Sequence, residues 1–234
     1  MGQAKDIQSA LRAIGNPEIA AHSSRFFKSG PGEYAEGDRF LGVRVPEVRA
    51  LIRQHRQIRL HELRTLIRSK WHEERLFAVL WLNEHCKRAG PEDLQTSFEF
   101  YLREREHVNN WDLVDGSAPG IVGRWLFPRD RSMLYDFVRA ESLWDRRIAI
   151  LSTLHFIKAG DLDDTFALSA LLLDDNQDLM HKAAGWMLRE AGKRDRARLD
   201  DFLGAKLNDM PRTMLRYAIE KHPEAERQAW LRGS

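Results

Sequence analysis

The sequence predicts an all-α protein whose helices pack in antiparallel pairs. Apolar residues recur at helical spacing along almost the whole chain, whereas the alternation typical of β-strands is scarce. Breaks marked by Gly and Pro separate stretches that suit helices of about 10–18 residues. A short pattern that ends in Ala also recurs at a fixed interval, which is typical of stacked helical repeats. We therefore expect an α-solenoid (superhelix) of HEAT-like antiparallel helix pairs with a concave basic face, forming a single helical-repeat domain over residues 1–234.

Helix boundaries follow from the breaks, taken in chain order. The breaks are Gly15-Asn16-Pro17, Gly30-Pro31-Gly32, Gly90-Pro91, Phe127-Pro128, Gly160-Asp161 and Met210-Pro211. The segment Ser29–Asp38 is Gly-rich and polar, and we expect a loop there. The segment Phe40–Pro46 is expected to be extended, with Pro46 in the first turn of the next helix, where its missing N–H has no intrahelical partner to lose.

The repeat consists of a basic residue followed two or three positions later by Ala. Ala149, Ala184 and Ala218 lie 35 and 34 residues apart, and Ala78 lies 71 residues before Ala149, which is about two periods. Because Ala allows helices to approach closely, the repeat predicts one recurring packing position. The repetition also predicts a basic stripe along one face, formed by the preceding residues Arg75, Arg147, Lys182 and Arg216.

The composition is that of a globular protein and shows no sign of cofactor chemistry. Hydrophobic residues make up 43% of the chain, and no apolar run reaches the length of about 18 residues that a membrane-spanning helix needs. Cys86 is the single cysteine, which excludes an intramolecular disulfide and favours the cytoplasm. The chain carries no P-loop, dinucleotide-binding Gly motif, serine-hydrolase elbow or paired-His zinc motif, and its nine His are scattered. We expect no metal, no cofactor and no membrane partner.

Positive charge is concentrated in one part of a nearly neutral chain. The net charge is +2, yet residues 44–70 hold eight basic side chains and only two acidic ones. Arg49, Arg53 and Arg56 are spaced i, i+4, i+7, which places them on one face of a helix. A local basic surface favours a polyanionic partner, although a solvated charged face gives the same composition.

Trp111 and Asp115 are the most informative pair in the sequence. In a helix they lie one turn apart on the same face, capped by Asn109 or Asn110. A ring face beside a carboxylate attracts a cationic group. Asp112 has a structural explanation as an acid in the first turn, and the small residues after Asp115 predict open space beside it. Core packing of Trp111 and a salt bridge of Asp115 are the alternatives.

Two further candidates lie in the second half of the chain. Arg147 occupies the repeated basic position, and we expect one of Arg146 and Arg147 to point along the charged face and the other to solvent. Trp186 follows Gly185 inside a predicted helix, where glycine costs about 1 kcal/mol relative to alanine. The glycine therefore predicts a close approach by another group, and core packing is the alternative explanation for Trp186.

These segments together resemble the AlkD-type DNA alkylation repair enzymes, which are DNA glycosylases built from HEAT-like repeats. The resemblance extends from about residue 7 to residue 222 and rests on four motifs in order, Phe40-Leu41-Gly42-Val43-Arg44-Val45-Pro46, Trp111-Asp112-Leu113-Val114-Asp115, Trp144-Asp145-Arg146-Arg147-Ile148-Ala149-Ile150-Leu151 and Lys182-Ala183-Ala184-Gly185-Trp186-Met187-Leu188-Arg189-Glu190. Phe26 lies where the family pattern has a tyrosine near the DNA surface, and the Ser29–Asp38 loop is longer than in short members.

The resemblance implies a function and a set of site residues. It matches Trp111, Asp115 and Trp186 to the family's active-site cleft and Arg147 to its phosphate-contacting arginine. The implied activity is excision of N7-methylguanine and N3-methyladenine from duplex DNA without a base-flipping pocket. Arg189, Arg49, Arg53 and Arg56 are expected to contact the DNA backbone. We expect a monomeric, nucleoid-associated protein of the cytoplasm that acts without a Schiff base, since no lysine lies beside these residues in sequence.

Two other functions remain open at this stage. A DNA-structure binder on the same fold would bind branched or bent DNA and release no base. A protein-binding scaffold would have a concave face of mixed or apolar character and negligible affinity for DNA above about 150 mM salt.

Overall fold

The computed structural model describes residues 2–233, and all their regular structure is helical. Two compact units divide the chain, residues 1–117 and 118–234. The first contains α1 (Gln3–Ala13), α2 (Pro17–Phe26), α3 (Val45–Gln54), α4 (Leu60–Ile67), α5 (His72–Cys86), α6 (Pro91–Glu104), a 3-10 turn (Arg105–His107) and α7 (Trp111–Asp115). The second contains a π-helical turn (Pro119–Gly123), α8 (Arg124–Leu126), α9 (Ser132–Phe137), α10 (Leu143–Lys158), α11 (Asp163–Leu171), α12 (Asp178–Gly192), α13 (Arg196–Lys206), α14 (Arg212–Ala218) and α15 (Glu224–Arg232).

The all-helical prediction is confirmed, and the helices pack in pairs. In the first unit α5 contacts α3, α4, α6 and α7, and twelve of its fifteen residues are buried. In the second unit α10 and α12 contact each other, and α12 also packs on α13 and α14. Across the described residues no helix is long and apolar enough to cross a membrane. The superhelix with a concave basic face and the single domain stay predictions.

The recurring alanines mark helix-packing positions, as the repeat predicts. Ala78, Ala149, Ala184 and Ala218 are each at most 1% exposed and lie on α5, α10, α12 and α14. The expected basic stripe is wrong at two of its four positions, because Arg75 and Arg147 are only 4% exposed. Arg75 donates to the carbonyl of Ser69 and pairs with Asp38, so its charge is neutralised inside the unit.

The extended segment after the Gly-rich loop is held by a buried carboxylate. Glu73, on α5, accepts hydrogen bonds from the backbone N–H groups of Leu41, Gly42 and Val43 at 2.8, 2.8 and 3.2 Å. Three donors satisfy a carboxylate that would otherwise be costly to bury. The prediction of an extended segment followed by Pro46 in the first turn of α3 is confirmed.

Gly42 is the position where this segment cannot accept a side chain. Its φ is +79°, and a Cβ there would lie 2.0 Å from the Asn16 carbonyl oxygen and 2.7 Å from the Ala20 nitrogen. Gly32 has a similar φ of +75° but open space around it. We expect Gly42→Ala to lower the free energy of unfolding by at least about 2 kcal/mol more than Gly32→Ala, because both variants carry the left-handed backbone cost and only the first adds a clash. Urea unfolding of both variants measures this, and equal losses would contradict the packing described.

Candidate active site

Trp111 and Asp115 form the two ends of α7, so the prediction that they share one helical turn is confirmed. Asn110 begins the helix, since its side-chain oxygen accepts the Trp111 N–H at 2.8 Å. The Asn110 amide also donates to Asp38 at 3.1 Å, which fixes the cap to the end of the Gly-rich loop. Trp111 and Asp115 are both half-buried.

Trp111 packs on an aromatic cluster that consists of Phe26, Phe27, Phe40, His72 and Trp111 itself. Phe27 stacks on the Trp111 ring at 5.1 Å between centroids, and Phe26 meets it edge-on at 5.8 Å. Phe40 and His72 extend the cluster inward from Phe27, at 5.3 and 4.9 Å. Phe26 is 57% exposed, which makes it the most exposed of the large hydrophobic side chains among residues 2–233. The cluster holds the Trp111 ring in place while leaving part of it accessible.

His72 joins the cluster to a buried chain of charges that sequence reasoning missed. Its Nδ1 lies 3.0 Å from Asp38 and its Nε2 lies 2.8 Å from Asp112, and the side chain is 2% exposed. Burial opposes the charged imidazolium, but the charge and hydrogen bond of Asp112, followed by those of Asp38, outweigh it and raise the pKa of His72 to about 9. Burial opposes the charged form of Asp38 too, which for a carboxyl group raises the pKa, yet the hydrogen bond from His72 and the charge of Arg75 leave that pKa below its usual value.

The two carboxylates of α7 therefore have different surroundings. Asp112 is bonded to His72 and orients the start of the helix, beyond the first-turn role that its position predicts. Asp115 ends the helix. The small residues that follow it do not leave open space, because a Cβ on Gly116 would lie 3.0 Å from the Leu80 side chain. Ser117 is buried and donates to the Leu113 carbonyl at 2.6 Å. These residues are small because α7 packs closely on α5.

Arg147 and its neighbour both have partners inside the second unit. The Arg147 guanidinium donates to the Leu179 carbonyl at 3.0 Å and is 4% exposed. Arg146 pairs with Asp175 at 2.7 Å and donates to the carbonyls of Ala140 and Glu141. The expectation that one of the two arginines points to solvent is wrong, since both bind the chain around the start of α12.

Gly185 has the close neighbour that its position in a helix predicts. A Cβ there would lie 2.5 Å from the Met214 carbonyl oxygen and 2.6 Å from the Tyr217 Cβ, so α12 and α14 touch at this point. Trp186 follows it, half-buried, and its Nε1 donates to Glu190 at 3.3 Å. Arg189 pairs with Glu220 and lies 3.4 Å from Glu190, so its charge is largely neutralised within the unit.

Arg49 and Arg53 lie on α3 and Arg56 lies just beyond its end, and all three line one pocket. We call it the arginine pocket, a depression of about 360 Å³ lined by Arg49, Ile52, Arg53, Arg56, Trp81, Glu84, His85 and Arg88. Arg49 lies 3.9 Å from Glu84. Within residues 2–233, no group of three His, Cys, Asp or Glu side chains is placed to hold a metal ion.

The structure thus brings the predicted residues together in sets. Trp111 and Asp115 share α7, and Arg49, Arg53 and Arg56 share the arginine pocket, all in the first unit. Arg147, Trp186 and Arg189 belong to the second unit. Their combination with Trp111 and Asp115 into one cleft stays a prediction.

Comparisons with known proteins identify one family. The family model described as "DNA alkylation repair enzyme" matches residues 7–222 of this chain. A solved structure described as "Predicted DNA alkylation repair enzyme from Enterococcus faecalis" superposes with a TM-score of 0.68 at 19% sequence identity, covering 90% of this chain and 97% of its own. At that identity the likeness shows the fold alone. No curated protein matches this chain.

Proposed function

The chain belongs to the DNA alkylation repair enzyme family, and on that premise we propose that it is a monofunctional DNA glycosylase of base excision repair. Its substrates are positively charged N-alkylated purines in duplex DNA, N7-methylguanine and N3-methyladenine among them. The reaction is hydrolysis of the N-glycosidic bond, which leaves a free base and an abasic site.

The observation that carries the proposal is the pairing of Trp111 with Asp115 on α7. An alkylated purine already bears a positive charge, so it leaves without protonation by a strong acid. Positive charge then develops on the deoxyribose, and a fixed carboxylate beside it stabilises the transition state. Asp115, half-buried at the end of α7, is the carboxylate that the family resemblance matches to this task, whereas Asp112 holds His72. Asp115 also orients the attacking water.

The remaining site residues hold the DNA around that reaction. The ring face of Trp111 attracts the cation that develops on the deoxyribose, and the family resemblance assigns Trp186 the same role. Arg147 contacts a phosphate beside the lesion, as the family resemblance implies, and that phosphate has to compete with the bonds that the guanidinium makes inside the unit, the one to the Leu179 carbonyl among them. Arg49, Arg53 and Arg56 add backbone contacts that depend on salt and not on sequence. Arg189 contributes least, because a phosphate has to compete with Glu220 for it.

The test of this function is the set of bases that the protein releases from methylated duplex DNA, separated by chromatography. We expect N7-methylguanine and N3-methyladenine to appear as free bases, and uracil or hypoxanthine placed in matched duplexes to remain in the strand. Neutral bases have to be protonated before they leave, whereas the role proposed for Asp115 supplies a fixed negative charge and no proton. Release of neutral bases at a similar rate would argue against this mechanism. Binding without any release would favour the DNA-structure binder.

Replacing Arg147 tests its contact with phosphate. We expect Arg147→Ala to weaken both DNA binding and excision by about tenfold and to reduce the salt dependence of binding by about one phosphate contact. Affinities measured at several salt concentrations give that slope. Arg146→Ala is the control, since Arg146 pairs with Asp175 and should leave the slope unchanged. An unchanged slope in Arg147→Ala would assign Arg147 a purely structural role.

A further inference from the structure

The arginine pocket has more positive charge than its own surroundings can neutralise. Four arginines line it, and Glu84 is the single carboxylate among its lining residues. Glu84 is itself shared, since it lies 2.5 Å from Lys87 as well as 3.9 Å from Arg49. In the described part of the chain no carboxylate pairs with Arg53, Arg56 or Arg88. Like charges gathered around one depression repel, and an anion that enters it relieves that repulsion.

The floor of the pocket is apolar and rigid. Ile52 and Trp81 are 6% and 5% exposed. The Trp81 indole N–H donates to the His55 carbonyl at 3.0 Å, which fixes the ring. His85 stacks on Trp81 with 5.0 Å between centroids and 8° between planes. His85 is half-buried, so its fixed ring is the one on which a planar base or a sugar can stack.

Charge and floor together define the class of ligand. An inorganic phosphate would satisfy the arginines but leave most of a 360 Å³ depression filled with water. A phosphate carried on a sugar and a base fills it, with the phosphate among the guanidinium groups and the apolar part against Ile52, Trp81 and His85. Pockets of about 300–1,000 Å³ with an apolar lining and a few charged groups are typical sites for molecules of this size.

We propose that the arginine pocket binds a nucleotide with an accessible phosphate, either a free nucleoside monophosphate or the phosphorylated terminal nucleotide of a DNA strand. The pocket lies at the C-terminal end of α5, whereas His72 begins that helix. Its lining residues come from the segments around α3 and α5, and neither Trp111 nor Asp115 is among them. The nucleotide site is therefore built from other residues than the Trp111 and Asp115 site within the same unit.

The test measures binding of thymidine 5′-monophosphate to the full chain by calorimetry, with inorganic phosphate and thymidine as comparison ligands. We expect the monophosphate to bind at least about tenfold more tightly than either part alone. The double variant Arg53→Gln/Arg88→Gln should lose at least about tenfold in affinity, since it removes two charge-assisted contacts. Arg103→Gln removes an exposed arginine of α6 outside the pocket and should bind as the wild type does.

Several outcomes would overturn the proposal. Equal affinity for phosphate and for the monophosphate would reduce the pocket to a simple anion site. No binding at about 10 mM of any ligand would mean that the arginines contact only the backbone of duplex DNA or the carbonyl groups at the ends of the protein's own helices. Unchanged binding in the double variant would place the ligand elsewhere.

A second arm distinguishes the two sources of the nucleotide. If a 5′-phosphorylated oligonucleotide binds more tightly than both its 5′-hydroxyl form and the free monophosphate, the ligand is a strand end. If the free monophosphate binds as tightly, the ligand is the free nucleotide, and the site stands in either case. These binding measurements do not depend on base excision. The proposal of a nucleotide site and the proposal of a glycosylase can therefore be refuted separately.

Discussion

Asp115→Asn should reduce excision of N7-methylguanine by about 10²–10³-fold while DNA affinity changes little. The magnitude is that of removing one preorganised group that faces charge developing in a transition state, about 3–4 kcal/mol. The asparagine has nearly the same shape but carries no charge, so the loss appears in the chemical step. Single-turnover release of the base and binding of the same duplex, measured side by side, separate the two effects.

Asp112→Asn is the matched control, because it makes the same chemical change on the same helix. Asp112 accepts from His72, and an asparagine oxygen can still accept that hydrogen bond. We expect it to lower stability and to keep excision within about tenfold of the wild type. If Asp112→Asn were the more damaging variant for the chemical step, the assignment of the carboxylates on α7 would be reversed.

Raising the pH from 6.5 to 9 should destabilise the wild-type protein through His72. The pKa of His72 in the folded protein is about 9, above the value of 6.5 for an unperturbed histidine. The charged imidazolium therefore stabilises the fold fully below pH 6.5, and that contribution is lost as the pH rises through 9. At 1.36 kcal/mol per pKa unit the loss is about 3 kcal/mol.

Urea unfolding at a series of pH values measures this contribution. We expect His72→Gln to be less stable than the wild type at pH 6 and to lose most of the pH dependence between 6.5 and 9. His61→Gln is the control, because His61 has a side chain that is 64% exposed and should keep the wild-type dependence. A His72→Gln variant with the same pH dependence as the wild type would show that this dependence does not come from the charged His72 between Asp38 and Asp112.

Features with a local pattern were predictable from the sequence. The helical period, the recurring Ala, the turn shared by Trp111 and Asp115, and the cap by Asn110 each depend on residues within a few positions of one another. The close approach at Gly185 was also foreseeable, since glycine inside a helix has a cost that needs a reason.

Features made by distant residues were not predictable. Asp38, at the end of a polar loop, meets His72 and Asn110, which lie 34 and 72 positions further along the chain. Nothing near Asp38 in sequence distinguishes it from a solvated loop residue. The burial of Arg147 was missed for the same reason, because its acceptor, the Leu179 carbonyl, lies 32 residues away. A basic repeat read as a stripe cannot show which of its members find such partners.

The most direct test of the central claim is single-turnover release of N7-methylguanine by the wild-type protein from a duplex that carries one such base, with binding of that duplex measured under the same conditions. The account predicts that the free base appears and an abasic site remains in the strand. Retained binding with no release of the base would contradict it and would make the protein a DNA-structure binder on this fold.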